Sequence, residues 1–195
     1  MKFKEFLSQY DHPGSIILLE GKRNVIETDQ PKLLALGKLL ALSMKHATFR
    51  SGNANGSDLY FSQGVASIDA QRLEALIPFD GHRTKSNVAG RTLSLDEVDL
   101  ALYPEIITLS ALNKKTAGLL TRFMAGELNR FSSKVTFIIR DTIKVVGVDG
   151  HPPISFGIFY DDLSSPKSGG TGHTMEVCKQ CQVPYVDQKV WMDWI

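Results

Sequence analysis

Ala47-Thr48-Phe49-Arg50-Ser51-Gly52-Asn53-Ala54-Asn55-Gly56-Ser57-Asp58 decides the fold. Residues 47–50 read as a short strand, the next eight are small or polar, and Leu59 to Ala66 reads as a short helix. Strand, tight turn and helix in that order are the building unit of a parallel α/β sheet. In such a sheet the turn lies at the carboxyl edge of the strands, where ligands bind.

The same alternation extends in both directions. Upstream, Ser15-Ile16-Ile17-Leu18-Leu19-Glu20 is an apolar run of the kind buried on both faces, and Gly21-Lys22-Arg23 ends it. A long helix follows. Asp29 is placed to cap it, Pro31 suits its first turn, and Leu33, Leu36, Leu40 and Met44 keep the helical period. Downstream, Ala75-Leu76-Ile77 is a third strand, the polar stretch Phe79 to Arg91 is a loop, and Leu95 to Leu112 is mostly helical with a break near Pro104. Lys114 to Phe131 carries a helical stripe of Leu120, Met124, Leu128 and Phe131. Val135 to Val146 is rich in β-branched residues, but its apolar positions have helical spacing and Gly147 follows as a cap, which predicts a helix. Ile154 to Tyr160 is a strand, Ser168 to Thr174 a second glycine-rich loop, Met175 to Gln180 a helix, and Val183-Pro184-Tyr185-Val186 a last short strand. The expected fold is a Rossmann-like three-layer α/β domain with a mostly parallel sheet of about five strands, spanning residues 1–195 as a single unit.

Composition narrows the function. Hydrophobic residues make up 43% and charged residues 22%, as in an ordinary water-soluble globule. The net charge of +1 disfavours a protein that neutralises many phosphates of a long nucleic acid. A small phosphorylated ligand needs only a cation or two and some backbone N–H groups. The start of the chain has no apolar core of a signal peptide, and no run approaches a membrane span, so the cytoplasm is the default expectation. Cys178 and Cys181 form a CxxC, but further zinc ligands are lacking and Cys178 lies deep in its helix, so core packing is the expected role. No motif calls for a metal or a bound cofactor, and a homodimer is left open as an assembly.

Both glycine-rich loops stand between a strand and a helix, so both are expected side by side at the carboxyl edge of the sheet. Small residues let the backbone approach an anion, and the first-turn N–H groups of the helix point at it. Neither loop has the Gly-Lys-Ser/Thr ending of a P-loop. Ser51-Gly52-Asn53-Ala54-Asn55-Gly56-Ser57-Asp58 resembles the SGxAxGxD signature of the SLOG superfamily, a group that includes the DNA-processing protein DprA and the LOG-type phosphoribohydrolases. Ser168-Gly169-Gly170-Thr171-Gly172-His173-Thr174-Met175-Glu176 is similar to the PGGxGTxxE motif of the LOG enzymes, departing from it at Ser168 and His173. Arg140-Asp141 is the nearest counterpart of the Arg-Lys or Arg-Asn pair those enzymes carry on the preceding helix.

The resemblance implies a nucleotide or nucleotide-derived ligand held by Gly21, Lys22, Arg23, Ser51, Gly52, Asn53, Gly56, Asp58, Ser168, Gly169, Gly170, Thr171, Gly172, His173 and Thr174. It also implies either a nucleotide sensor or an N-glycosidic hydrolase, with Glu176 and Arg140 as the catalytic candidates in the second case. Glu176 would contact ribose hydroxyls or a developing positive charge, and Arg140 would pair with a phosphate. Each has a plainer alternative. Glu176 suits the positive end of any helix, Arg140 suits an amphipathic helix, Asp58 suits a helix cap, and a loop histidine such as His173 is commonly just solvated. The rival to a small-molecule site is a DprA-like single-stranded DNA binder, with the Lys/Arg-rich stretch Lys114 to Lys144 as its one basic track. A partner-binding protein that kept the fold and lost the site is a third reading, against which the intact glycine loops argue.

Overall fold

The computed structural model describes residues 1–128 and 134–195, so Phe131 of the expected stripe lies outside the described residues. The elements in chain order are α1 (Phe3–Tyr10), β1 (Ile16–Gly21), α2 (Gln30–Ser43), β2 (Thr48–Ser51), α3 (Ser57–Asp69), β3 (Leu73–Ile77) and β4 (Arg91–Ser94). They continue with α4 (Pro104–Ser110), α5 (Ala117–Met124), α6 (Lys134–Val146), β5 (Phe156–Tyr160), α7 (Gly169–Gln180), β6 (Tyr185–Val186) and α8 (Gln188–Trp191).

The strands form a six-stranded sheet in the order β4-β3-β2-β1-β5-β6, and neighbouring strands pair in parallel throughout. From β1 the chain moves outward through β2, β3 and β4, then returns to the other side of β1 with β5. The direction of progression therefore reverses between β1 and β5. Their carboxyl ends flank the crevice in which open α/β sheets hold ligands.

Side-chain alternation explains the layers. Ile17 and Leu19 of β1 join one core with Phe6 of α1, Leu33, Leu36 and Leu40 of α2, Phe61 and Val65 of α3, and Trp191 of α8. Ile16 and Leu18 point the other way, onto Val145 of α6 and Met175, Val177 and Cys178 of α7. Leu76 and Leu93 extend that second face against Ile106 of α4, Leu120 of α5 and Ile139 and Ile143 of α6. Each fully buried aliphatic or aromatic side chain contributes about 2 kcal/mol to this packing. Trp191 also donates its indole N–H to Phe159 O at 2.8 Å, which fastens the C-terminal segment to β5.

The second face is not wholly apolar. Arg50 of β2 is fully buried and donates through Nε to Glu74 Oε2 of β3 at 2.7 Å and through Nη1 to Lys144 O at 3.0 Å. His151 Nδ1 meets the other oxygen of Glu74. Burial pushes the Glu74 carboxyl up, but Arg50 and His151 outweigh it and hold it below its ordinary value.

Several local expectations change. Asp29 makes no capping bond to α2; it accepts from Lys32 Nζ at 2.8 Å and Tyr160 OH at 2.7 Å. A strand, β4, occupies Arg91–Ser94 where the sequence reads as loop running into helix. It is a four-residue edge strand with Leu93 as its lone large apolar side chain, too little for a period to register. The helix expected over 95–112 is two short 3-10 turns followed by α4. Ser94 with Glu97, and Asp99, satisfy the backbone N–H groups locally and stop longer helices from forming. Finally, α7 starts at Gly169, so most of the second glycine-rich segment is helix rather than loop.

Candidate functional site

The first glycine segment joins β2 to α3 and is tied inward. Asp58, the second residue of α3, accepts from Gly21 N at 3.2 Å with Oδ1 and from Gly52 N at 3.0 Å and Ala54 N at 3.5 Å with Oδ2. It thus holds the loop rather than capping the helix. Gly56 adopts φ +79°, and a Cβ there would collide with the Arg23 backbone. Asn53 is left-handed at φ 52° and donates Nδ2 to His82 O at 3.3 Å. Ser57 Oγ donates to Lys22 O at 2.7 Å, and Lys22 N donates to Tyr160 O at 2.9 Å, so the end of β1 is strapped to both neighbours.

The second segment is open. Ser168 makes no side-chain cap, and the N–H groups of Gly169, Gly170 and Thr171 have no hydrogen-bond partner among the described residues. The first turn of a helix leaves such donors free and carries the positive end of its dipole.

Between these segments lies a cleft of 730 Å³. Its wall brings together Gly21, Lys22, Arg23, Asp58, Arg140, Ser168, Gly169, Gly170 and Thr171 from the expected set. Ser51, Gly52, Asn53 and Gly56 stand behind the wall as framework. Gly172, His173 and Thr174 also lie off the cleft. His173 is buried with Nε2 at 2.9 Å from Thr142 Oγ1, and burial holds its pKa below the ordinary value, so it serves the α6–α7 contact as a core histidine. Glu176 is outside the cleft as well, on the next turn of α7, where it accepts from Gln180 Nε2 at 2.7 Å and lies 3.9 Å from Lys179 Nζ. Cys178 is buried in the core, Cys181 is exposed, and both are free thiols.

The floor of the cleft carries an ionic cluster in which Arg140, Asp141 and Asp58 from the sequence reading are joined by Glu20 and Lys144, which it did not single out. Arg140 donates Nε and Nη2 to Asp141 Oδ1 at 3.0 and 2.8 Å, and Nη1 to Gly52 O. Lys144, one turn along α6, is fully buried, with Nζ 2.9 Å from Asp141 Oδ1 and 2.7 Å from Glu20 Oε2. Thr174 Oγ1 donates to Glu20 Oε1 at 2.9 Å. Burial would lower the Lys144 pKa, but Asp141 and Glu20 raise it, so it stays charged. Glu20, Asp58 and Asp141 face only Arg140 and Lys144, which leaves one negative charge in excess. Burial, opposed by Lys144 and aided by Asp141 and Asp58, pushes the Glu20 carboxyl up to about 8, the direction that relieves the excess. Glu20 could have been found as a lone acid near the end of an otherwise apolar buried strand.

The rim is cationic. Lys22, Arg23, Lys115 and Lys134 reach the cleft, and Lys22 is paired only loosely, at 3.7 Å, with Asp162. A side pocket of 260 Å³ opens from the same wall, lined by Arg23, Ala54, Asn55, His82, Arg83, Phe137 and Arg140. His82 and Phe137 meet edge-on there at 5.5 Å, and burial and the nearby arginines hold His82 neutral, at about 4. Among the described residues no group of histidines, cysteines and carboxylates gathers as a metal site.

The fold and the cleft define a doubly wound, all-parallel α/β protein with its concavity at the β1/β5 switch point. The chain resembles DNA processing protein A from Helicobacter pylori, a structure solved for its single-stranded DNA binding mode, with TM-score 0.57 and 16% identity over 95% of this chain and 68% of that one. It also resembles the molybdenum cofactor binding protein from the phototrophic bacterium Rippkaea orientalis, with TM-score 0.52 and 16% identity over 89% of this chain and 75% of that one. These likenesses are of fold, and they agree with the SLOG resemblance carried by the glycine segments. No family profile matches the chain. No curated protein matches it by sequence. Among the described residues no helix is long and apolar enough to cross a membrane.

Proposed function

We propose that the protein binds a nucleotide or nucleotide-derived small molecule in the cleft between β1 and β5. One observation carries this reading: a 730 Å³ concavity at the switch point combines the unpartnered N–H groups that begin α7 with a rim of Lys22, Arg23, Lys115 and Lys134. Free N–H donors and a few cations suit one phosphate group. The side pocket beside His82 and Phe137 suits a planar base, since an aromatic face or edge accepts any of them. The test is mass spectrometry of small molecules released from the purified protein, followed by a thermal-shift screen of nucleotides. A ligand that binds the folded state raises the melting temperature once its concentration exceeds Kd. A protein that carries nothing and is shifted by no nucleotide refutes the reading.

Hydrolysis of an N-glycosidic bond is the finer form of this proposal. Support for it comes from the carboxylates of Glu20, Asp141, Asp161 and Asp162 in the lining of the cleft. Free base released from a nucleoside monophosphate is the readout. A second reading, single-stranded DNA, is supported by the likeness in fold to DNA processing protein A and by Lys115, Lys134 and Phe137 along one wall. Fluorescence anisotropy of a labelled oligonucleotide with increasing salt tests it, because phosphate contacts make such binding fall steeply with salt.

A further inference from the structure

Three carboxylates stand at the floor of a cleft read above as taking an anion. Glu20, Asp58 and Asp141 are each at most 4% exposed, and the buried cations beside them are Arg140 and Lys144. With every group ionised the floor carries one net negative charge. It then repels a phosphate entering the cleft, the more strongly because little water screens it. The repulsion is relieved when one of the three acids holds a proton, and the hydrogen bonds single out which.

Both oxygens of Asp58 accept N–H groups, from Gly21, Gly52 and Ala54. Asp141 Oδ1 takes Arg140 Nε, Arg140 Nη2 and Lys144 Nζ. Burial would push this carboxyl up, but Arg140 and Lys144 hold it below its ordinary value. Glu20 has neither kind of support among the described residues. Its Oε2 shares Lys144 with Asp141, and its Oε1 lies 2.9 Å from Thr174 Oγ1. Thr174 Oγ1 is also 3.1 Å from Gly170 O. That hydroxyl has one proton and faces two acceptors. With Glu20 ionised it serves one of them. With Glu20 protonated both contacts are hydrogen bonds, since Oε1 donates to Thr174 Oγ1 and Thr174 donates to Gly170 O. The remaining titratable groups of the floor bring no positive charge. Burial pushes the Cys178 thiol up, and burial holds His173, beside Asp141 and Lys144, below its ordinary value.

We propose that Glu20 is a proton-coupled gate on the cleft: it carries a proton while an anion is bound and ionises without one as pH rises, so that binding an anion takes up a proton. This inference rests on the reading that the cleft holds an anionic group, and it adds how the affinity for that group is regulated. The path between proton and anion is short, because Thr174 links Glu20 to Gly170 in the first turn of α7. Burial, opposed by Lys144, pushes the Glu20 carboxyl up to about 8. A bound anion acts in the same direction as Asp141 and Asp58 and raises it further. Affinity for an anion therefore falls on the alkaline side of neutrality.

The experiment uses sulfate as the probe, because it does not itself titrate near neutrality as a phosphate monoester does. Wild-type protein carrying 13C at its glutamate carboxyls is titrated with acid and base in an NMR spectrometer, with and without sulfate at matched ionic strength. Sulfate affinity is read from the amides of Gly169, Gly170 and Thr171. The Glu20 carboxyl is expected to titrate near about 8 without sulfate and higher with it. Sulfate affinity is expected to fall about threefold between about pH 7 and about pH 8.5, as linkage requires when sulfate moves that midpoint by a tenfold change in proton concentration. In Glu20→Gln, which has no such proton, it is expected to stay within about 1.5-fold over the same interval. The wild-type titration decides alone where this variant does not fold. A Glu20 carboxyl that titrates in the ordinary carboxylate range overturns the inference. So does a midpoint that bound sulfate leaves in place, or a loss of affinity that persists in folded Glu20→Gln, and in each case the anion reading stands. Sulfate that perturbs none of the three amides at any pH overturns the anion reading and this inference with it.

Discussion

The two glycine-rich segments look alike in sequence and do opposite work. In Ser51–Asp58 the backbone is turned on the protein itself: Asp58 takes the N–H groups of Gly52 and Ala54, with that of Gly21 from β1, and Arg140 donates to the carbonyl of Gly52. The place an anion would occupy is filled by the chain's own carboxylate. In Ser168–Thr174 the glycines open α7, and their N–H groups and the neighbouring Asp141 Oδ2 face the cleft unpartnered among the described residues. Matching topological positions therefore do not imply matching roles. A nest that is internally satisfied is framework, and one that is left open is a binding surface.

The contrast breaks or sharpens under mutation. Asp58→Ala should be the most damaging change, because it strands loop N–H groups and unbalances Arg140 and Lys144. A loss of about 3 kcal/mol or more in urea denaturation is expected. A folded, equally stable Asp58→Ala that merely binds nucleotide less well would make the first segment a ligand site after all. Gly170→Val should weaken nucleotide binding at least tenfold while stability falls by about 1–3 kcal/mol, less than for Asp58→Ala, since its branched side chain meets Asp141 at the wall of the cleft. Unchanged affinity in calorimetry would remove the start of α7 from the site.

The ionic floor gives a pH test. Glu20 has a raised pKa in the folded protein, so its contribution is complete below its unfolded value and is lost as pH rises toward about 8. The lowered values of His82 and His173 have the opposite sign but act only below their ordinary histidine range. Between pH 6.5 and 8 the stability of wild type should therefore fall, and that of Glu20→Gln should stay level by comparison. Parallel curves would show that the floor carries no such proton. The smallest expected effect is that of Glu176→Gln, whose side chain touches Lys179 and Gln180 rather than the cleft: nucleotide affinity should change by less than about twofold, as for an exposed ion pair. A large loss would place Glu176 at the ligand.

The sequence made the layers legible because apolar alternation is a strong signal. Ile16 to Leu19 read as buried on both faces, and they are; Val135 to Val146 read as a helix despite its β-branched residues, and it is. What it hid was short or long-range. Strand β4 owes its place to pairing with β3, not to its own pattern. The glycines of Ser168–Thr174 suggested a loop, yet a helix starts among them because packing of Met175, Val177 and Cys178 on β1 carries the helix back to Gly169. Of the expected site residues, those at the end of β1 and at the start of α7 line the cleft together with Asp58 and Arg140, whereas Ser51, Gly52, Asn53 and Gly56 stand behind it and Gly172, His173, Thr174 and Glu176 lie off it. Glu20, Asp141 and Lys144 meet across 124 positions of sequence, from β1 to α6, and no local spacing announces such a contact.

The central claim is that the β1/β5 cleft holds the ligand, and hydrogen exchange read by mass spectrometry tests it most directly. With a saturating amount of the nucleotide that gives the largest thermal shift, amide protection should rise at Gly21–Arg23, at Gly169–Thr171 and beside the side pocket at Asn55, while Gly52 and Asn53, already bonded internally, change little. Protection that appears elsewhere on the surface, or only in the first glycine segment, would contradict the account.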